Sequence, residues 1–356
     1  MTATDANASV PAPCTAPTEP GFEVTEQADG AEGGGRQARM HIDAPVRSLE
    51  MLDLQVAAGA TEVYLGLAAA ELNTLTFNAY AARRSEQPTQ VSSAKLLRSL
   101  IAEAHTQGLT VNFSANASHL PQQLHQAFVD HVRTALDLGA DRVIVANVGL
   151  LRALRAAGVT APLVASGTMG VTTSAYAEWL ARTFDVSRVV LPHSVTLGEA
   201  AVIARVPDVE VEVQVQTGAG LSCGRCTIWD DPQTSAAGLG CRAGYEVTTP
   251  SGQVLNDNAF LDGGTDCALC DVPGLVAAGV TALKIPGRES PNLRVNAKIT
   301  QLYRRVLDKT NAGAALPRVI EQIDAIELLW QMAWVPRLCD QQRCRFRATP
   351  ITSSYI

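Results

Sequence analysis

Five of the eight cysteines fall inside one stretch of the sequence, residues 217–271, at spacings that could hold a metal. The stretch has two Cys-x₂-Cys pairs with a single cysteine between them: Cys223 and Cys226, then Cys241, then Cys267 and Cys270. Thiolates bind soft metals, and the two thiolates of a short pair can reach one metal from a single turn. The stretch is therefore a candidate metal centre or thiol-based redox site.

Three kinds of chemistry compete for this spacing. Two Cys-x₂-Cys pairs could make a Cys₄ zinc site, but that would leave Cys241 unused and the pairs are unusually far apart for a zinc ribbon. A redox dithiol would be expected in a thioredoxin-like βαβ unit, which the sequence does not show. An iron–sulfur cluster could take four of the five thiolates, because a long loop can wrap around it. Spacing alone does not decide between zinc and iron–sulfur, and buried thiols without any ligand are the remaining alternative.

Four other side chains lie at the ends of predicted strands. His193 follows a proline and could act as a general acid or base. Lys284 and Arg288 could clamp a carboxylate, for which the guanidinium of Arg288 has bidentate geometry. The alternative for these two cations is a structural salt bridge. Asn116 could line a cavity, because a polar group is unexpected at its position.

The scaffold that must position these residues is predicted from an alternation of short apolar runs and amphipathic stretches of helix length. Such alternation predicts a parallel sheet. Eight strands fit a closed TIM-like (β/α)₈ barrel, whose usual size is about 250 residues. An open doubly wound sheet is the alternative, but the first strand–helix turn has no glycine-rich phosphate loop. The predicted strands are 40–44, 62–67, 110–115, 142–148, 162–166, 188–192, 209–215 and 282–286.

Helices are predicted between the strands, including 48–58, 93–107, 121–138 and 173–183. Gly59, Gly108 and Gly139 follow three of them, where a left-handed residue would end the helix. The cysteine-rich stretch separates the seventh strand from the eighth. In a barrel it would therefore leave the C-terminal ends of the strands, where active sites are built.

The chain divides into three predicted regions. Residues 1–38 are rich in Ala, Thr, Pro and Gly and are predicted to be a disordered leader. Residues 39–312 form the barrel, with the cysteine-rich insertion at 217–271, and residues 313–356 form a C-terminal helix and a basic tail. We expect the three cysteines outside the insertion to take no part in metal binding: Cys14, Cys339 and Cys344.

The overall composition argues against several classes of function. A net charge of −7 and an isoelectric point near 5.4 give no general attraction to nucleic acid. No apolar run is long enough to predict a membrane-spanning helix. The N-terminus lacks the pattern of a secretion signal, which predicts a cytoplasmic location, where clustered cysteines more often bind metal than form disulfides.

Several segments resemble the collagenase-like peptidase family, peptidase family U32. "APVRSLEML" and "AGATEVYLG" are similar to the family's opening blocks, APAGSLE and AGADAVYLG. Later blocks follow in the family's order, and together they cover residues 40–310: "VNFSANA", "ADRVIVANVGLL", "SRVVLPHSVTLGEA", "CGRC" and "VPGLVAAGVTALKIPGRES". The last block is the most specific, because in the family a similar run follows the cluster loop.

The resemblance implies a TIM-like barrel and a 4Fe-4S cluster. Several members are oxygen-independent hydroxylases, including ubiquinone-pathway subunits and enzymes that hydroxylate tRNA or rRNA, and some use prephenate as the oxygen source. Aligned onto the family's cysteines, the sequence implies the ligands Cys223, Cys226, Cys241 and Cys267. Cys270 is the alternate to Cys223, whose family counterpart lies further upstream.

The resemblance also bears on the substrate site. Glu50 and Tyr64 match the opening block and Asn116 matches a family asparagine, which implies that they bind substrate, although Tyr64 is equally suited to be a packed core residue. The sequence departs from the family at His193, where the family has arginine, so the substrates of known members are not transferred. A Gly-x-Ser-x-Gly elbow and a His-Glu-x-x-His motif are both missing from the sequence, so nothing in it supports peptide hydrolysis.

From these observations we predict an iron–sulfur-dependent, oxygen-independent hydroxylase of a small metabolite or natural product. It would use a prephenate-like oxygen donor and could work with a paralogous subunit as a heterodimer. Two alternatives stay open: a hydrolase of the peptidase type with structural zinc, and a non-catalytic subunit that carries the cluster.

Overall fold

The computed structural model describes residues 40–73, 89–117, 120–217, 246–256, 266–288, 290–313, 335–340 and 344–346. Eight parallel strands close into a barrel in which the last strand pairs with the first. This confirms the predicted TIM-like (β/α)₈ barrel, and each strand lies within three residues of its predicted bounds. The strands are β1 (His41–Pro45), β2 (Glu62–Leu65), β3 (Thr110–Ala115), β4 (Arg142–Val145), β5 (Leu163–Ala165), β6 (Val186–Leu191), β7 (Glu210–Gln214) and β8 (Ala282–Lys284).

Helices surround the barrel and begin at the residues that the sequence marks as caps. The side chains of Ser48, Ser93 and Thr173 each accept a hydrogen bond from a backbone N–H in the first turn of the helix that follows. Gly59 ends the first helix with φ of 88°, and a Cβ there would lie 2.6 Å from Cγ of Arg304. The helices are α1 (Leu49–Ala57), α2 (Ala94–Thr106), α3 (His125–Asp137), α4 (Val148–Ala156), α5 (Ser174–Phe184), α6 (Leu197–Ile203), α7 (Val272–Ala277) and α8 (Leu293–Asn311).

Buried side chains fall into two regions, one between the strands and the helices and one inside the barrel. Between the strands and the helices lies one large apolar core, which fills the space that the alternating pattern predicts. Inside the barrel a small apolar cluster is formed by Tyr64, Ile144, Val164 and Val190. Nearer the N-terminal ends of the strands, the barrel is filled by buried charged and amide side chains.

Several predicted regions lie outside the described residues. These are the leader at 1–38, the helix expected within 313–356 and most of the insertion at 217–271, so their boundaries stay predictions. Within the described part of the chain, no helix combines the length and the apolar character that crossing a bilayer requires.

Candidate metal centre

Cys267 lies at the C-terminal face of the barrel, next to the end of β7. It belongs to a two-residue strand, Asp266–Cys267, which pairs antiparallel with Gln216–Thr217, two residues beyond β7. Cys270 is exposed in the short 3₁₀ turn that precedes α7. The other three predicted ligands, Cys223, Cys226 and Cys241, lie outside the described residues.

The thiol of Cys267 is enclosed by α8 and by its own backbone. Its side chain belongs to a residue that is 8% exposed, and its Sγ accepts a hydrogen bond from the N–H of Leu269 at 3.4 Å. The hydroxyl of Tyr303 lies 3.8 Å from the same sulfur. Burial raises the pKa of Tyr303 well above its usual value, so the phenol stays protonated. The thiol is therefore held in a fixed, mostly dry position.

The C-terminal segment 344–346 docks against Cys267, which the sequence did not predict. Cys344 forms an isolated parallel β-bridge with Cys267, and the N–H of Arg345 donates to the carbonyl of Cys267 at 3.0 Å. The Nη2 of Arg345 donates to the carbonyl of Pro192 at 3.1 Å. Cys339 ends a π-helical turn, Val335–Cys339, and packs against the apolar core. The sequence signal that was available is the pair of cysteines in the tail, which has no structural reason in a solvated terminus.

The guanidinium of Arg345 is a buried cation that needs an anion. Its Nε and Nη1 atoms are buried and have no hydrogen-bond partner among the described residues. Burial lowers the pKa of Arg345 to about 10, although the charges of Asp266 and Asp271 oppose that shift. Although Asp266 and Asp271 lie near and the centroid of the Phe346 ring is 4.8 Å from Cζ, two nitrogens lack hydrogen bonds among the described residues, so the position fits a further group of negative charge. A metal held by several thiolates has that character.

His193 and Asp266 form a hydrogen-bonded pair beside Cys267. The Nε2 atom of His193 contacts Oδ2 of Asp266, the residue that precedes Cys267 in the chain. The Nδ1 atom is buried and has no partner within the residues that the structure describes. A carboxylate on one ring nitrogen orients the imidazole and leaves the other nitrogen for proton transfer. The structure thus brings the predicted acid–base residue to the predicted ligand.

Tyr64 lies between the two cations that were predicted to bind a carboxylate. Its ring centroid is 4.0 Å from Nζ of Lys284 and 5.4 Å from Cζ of Arg288, and both arrangements are of the cation–π type. Its hydroxyl donates to the carbonyl of Ile285 at 3.0 Å. Arg288 contacts Oε1 of Gln90 at 3.2 Å through one nitrogen. The three residues therefore form one stacked group at the C-terminal end of β8.

Lys284 points into the barrel and is part of a buried ion network that the sequence analysis missed. Its ammonium binds Oδ2 of Asp43 and lies 2.8 Å from Oε1 of Glu212. Arg188 binds Glu62 through two nitrogens and Glu212 at 3.1 Å. These contacts match the structural salt bridge that was the alternative for Lys284. Charged residues in strands that otherwise read as buried were the available signal.

The buried part of the network contains three acidic side chains, Asp43, Glu62 and Glu212, and two basic ones, Arg188 and Lys284. If Glu62 and Glu212 are ionised, they balance Arg188 and Lys284, which leaves Asp43 without a counter-charge. Burial accordingly raises the pKa of Asp43 to about 7. Burial also acts to raise the pKa of Glu62, but its hydrogen bonds with Arg188 overcome this and lower it to about 2. Of the carboxyl groups in this network, Asp43 is therefore the one that keeps its proton to the highest pH.

The two remaining candidates are placed apart from this network. Asn116 directly follows β3, and its Oδ1 is buried without a hydrogen-bond partner among the described residues. Glu50 is exposed in the first turn of α1. Within the described part of the chain, no hydrogen bond or ion pair joins Glu50 to the other candidate residues. Its predicted role in substrate binding stays a prediction.

Comparison with known proteins places the chain in a sequence family. The model of Peptidase family U32 matches residues 47–329. The sequence matches no curated protein. Among solved structures, a U32 peptidase is 15% identical, with 73% of this chain and 96% of that chain covered and a TM-score of 0.41. The N-(5'-phosphoribosyl)anthranilate isomerase of Pyrococcus furiosus is 10% identical, with 75% and 99% covered and a TM-score of 0.40.

Proposed function

Because the chain belongs to peptidase family U32, we propose that it is an iron–sulfur-dependent, oxygen-independent hydroxylase of a small metabolite or natural product. The observation that carries the proposal is the buried thiol of Cys267, whose carbonyl accepts from the N–H of Arg345. Two buried guanidinium nitrogens of Arg345 have no hydrogen-bond partner among the described residues. A cluster bound by several thiolates would bring the negative charge that this cation lacks. The position at the C-terminal face is also where barrel enzymes bind their substrates.

The proposed ligands are Cys226, Cys241 and Cys267, with the fourth thiolate from Cys223 or Cys270. When bound, a 4Fe-4S cluster would supply one-electron transfer at this face of the barrel. The insertion that contains these residues follows β7, so it begins at the C-terminal ends of the strands, where barrel active sites are built.

The other residues of the face would bind substrate and move protons. Arg288 would bind the carboxylate of a prephenate-like oxygen donor, with Tyr64 stacked beneath its guanidinium. His193 would accept or release a proton at Nδ1, because Asp266 already holds Nε2. Lys284 would orient Tyr64 from within the ion network, since Asp43 and Glu212 occupy its ammonium.

Asn116 would present its amide to the substrate, because its buried Oδ1 has no donor among the described residues. The partners that we propose are therefore a small-molecule substrate with an oxygen donor and, for a chain inactive by itself, a paralogous subunit.

The second candidate is a hydrolase of the peptidase type with structural zinc, which the name of the family favours. Zinc on four thiolates is also negatively charged and would satisfy Arg345 equally well. The two candidates differ in the metal and in whether the centre takes part in the reaction. A subunit that carries the cluster without activity differs from both in showing no turnover alone.

The test is to purify the chain without oxygen and to count iron, sulfide and zinc per chain. We expect about four irons, about four sulfides and an absorption band at about 400 nm. One zinc per chain and no colour would contradict the hydroxylase and leave the hydrolase. Turnover of a substrate by the loaded chain alone would eliminate the non-catalytic subunit.

A further inference from the structure

Cys344 and Cys267 lie on neighbouring strands at paired positions. Their residues form a parallel β-bridge, and the adjacent N–H of Arg345 donates to the carbonyl of Cys267 at 3.0 Å. Paired strands lie about 4.8 Å apart, and paired residues project to the same face. Two cysteine side chains that start from this spacing can both reach one metal centre.

The alternate ligand Cys270 is placed differently. It is exposed in the turn before α7, whereas Cys344 is half-buried and Cys267 is buried. Thiolate ligands of a cluster are held in a protein-lined site that limits solvent access. Of the described cysteines, Cys344 is therefore better placed than Cys270 to share a centre with Cys267.

Arg345 supplies an independent observation at the same place. The residue after Cys344 buries two guanidinium nitrogens that have no hydrogen-bond partner in the described part of the chain. Its third nitrogen, Nη2, is bound to Pro192 at the end of β6, which anchors the segment on the barrel face. A buried cation that follows one cysteine and is hydrogen-bonded through its backbone to another indicates an anionic centre between them.

We propose that Cys344 is a ligand of the same metal centre as Cys267, in place of Cys223 or Cys270. This inference rests on the proposed function for the presence of a metal at Cys267, and it departs from the expectation that Cys344 takes no part in metal binding. The C-terminal segment is then part of the site, and Arg345 compensates the charge of the thiolates.

The test compares the metal content of four alanine variants purified without oxygen. We expect Cys344→Ala to lose most of its iron, its sulfide and its visible absorption, as Cys267→Ala does. The matched controls Cys270→Ala and Cys339→Ala should keep the content of the unchanged chain. Full metal content in the Cys344 variant, or its loss in the Cys270 variant alone, would overturn the assignment.

A second measurement avoids substitution and the risk of misfolding. The alkylation rate of Cys344 by iodoacetamide, followed by peptide mass spectrometry, should rise by about tenfold when a chelator and an oxidant remove the metal. Equal rates before and after removal would overturn the inference, even with iron present. An unchanged chain that holds no metal at all would instead refute the proposed function, so the two failures are distinguishable.

Discussion

The hydroxyl of Tyr303 joins the end of β7 to the residue that follows Cys267, and lies 3.8 Å from the sulfur of that cysteine. It donates to the carbonyl of Val215 at 2.5 Å and accepts from the N–H of Ala268 at 3.0 Å. Tyr303 is fully buried on α8. The phenol thus fixes the Cys267 segment to the barrel, together with the strand pair between Asp266–Cys267 and Gln216–Thr217.

Replacement of that hydroxyl should destabilise the protein. Tyr303→Phe removes the buried hydrogen bonds of the phenol with Val215, Ala268 and Gln216, although the N–H of Ala268 still donates to the carbonyl of Val215. We expect the free energy of unfolding to fall by about 1–2 kcal/mol. Urea denaturation of the metal-free chain measures it. Tyr176→Phe, at a half-buried position on α5, is the control and should change stability by less than about 0.5 kcal/mol. Equal values for the two variants would show that Tyr303 does not fix the Cys267 segment.

His193 should affect turnover and leave metal binding intact. In His193→Gln the side chain can still donate a hydrogen bond to Asp266 but cannot exchange a proton, so we expect turnover to fall by about a hundredfold or more. Iron and sulfide per chain should stay at the level of the unchanged chain. Parallel loss of iron and activity would instead mean that His193 supports the metal centre, and the acid–base role would have to be given up.

The ion network in the barrel should be strongly dependent on Arg188. Its side chain is fully buried and binds both Glu62 and Glu212. Arg188→Met removes the buried cation between these carboxylates. Among the described Lys and Arg side chains, Glu62 then keeps only the partly exposed Arg142 and Glu212 keeps only Lys284. We expect the free energy of unfolding to fall by about 3–5 kcal/mol. The control is Arg182→Met, because Arg182 forms an exposed ion pair with Glu178 on α5, and such pairs contribute about 0.5 kcal/mol or less. Similar losses of stability in both variants would show that burial does not make the ion pairs of Arg188 more stabilising than an exposed pair.

The protein should become less stable as the pH rises, because Asp43 then loses its proton. Its pKa is about 7 in the folded protein, above the ordinary value of 3.8, so the folded state holds the proton more tightly than the unfolded state does. The stabilisation is complete below the unfolded pKa and is lost as the pH rises through 7. Between about pH 5 and about pH 8 the free energy of unfolding should fall by about 2–3 kcal/mol.

Asp43→Asn removes that titration, so the fall should be absent from the variant over the same range. Denaturant unfolding at a series of pH values gives the comparison, and the difference between the two chains isolates Asp43 from other groups. The prediction fails if the two curves run parallel.

The barrel could be predicted from the sequence because its signals are local. The β-branched run of β4 and the glycine after α1 each specify their own element, and the structure has both where they are predicted. The position of Cys267 at the end of β7 follows from the same count of strands. These features require no knowledge of which distant residues meet.

The features that the sequence did not predict depend on distant contacts. The elements α7, β8 and α8 all lie between Cys267 and Cys344 in the sequence. Only the folded chain shows that the two cysteines are paired. Likewise Asp43 and Lys284 lie at opposite ends of the barrel sequence and become neighbours when β8 closes on β1. A strand pattern indicates burial, but it does not reveal which charge will neutralise another.

The closure of the barrel also gives the ion network a role in folding. Asp43 on β1 and Lys284 on β8 are paired residues across the seam, 241 positions apart in the chain. A register slip of two residues there would leave both charges buried among the wrong neighbours, at an expense of several kcal/mol. The charged interior therefore favours one stagger of the strands around the barrel (its shear). An interior lined only by apolar side chains would tolerate more than one. The pairing of β1 with β8 joins residues that are far apart in the chain, and contacts of that range are slow to form in folding proteins.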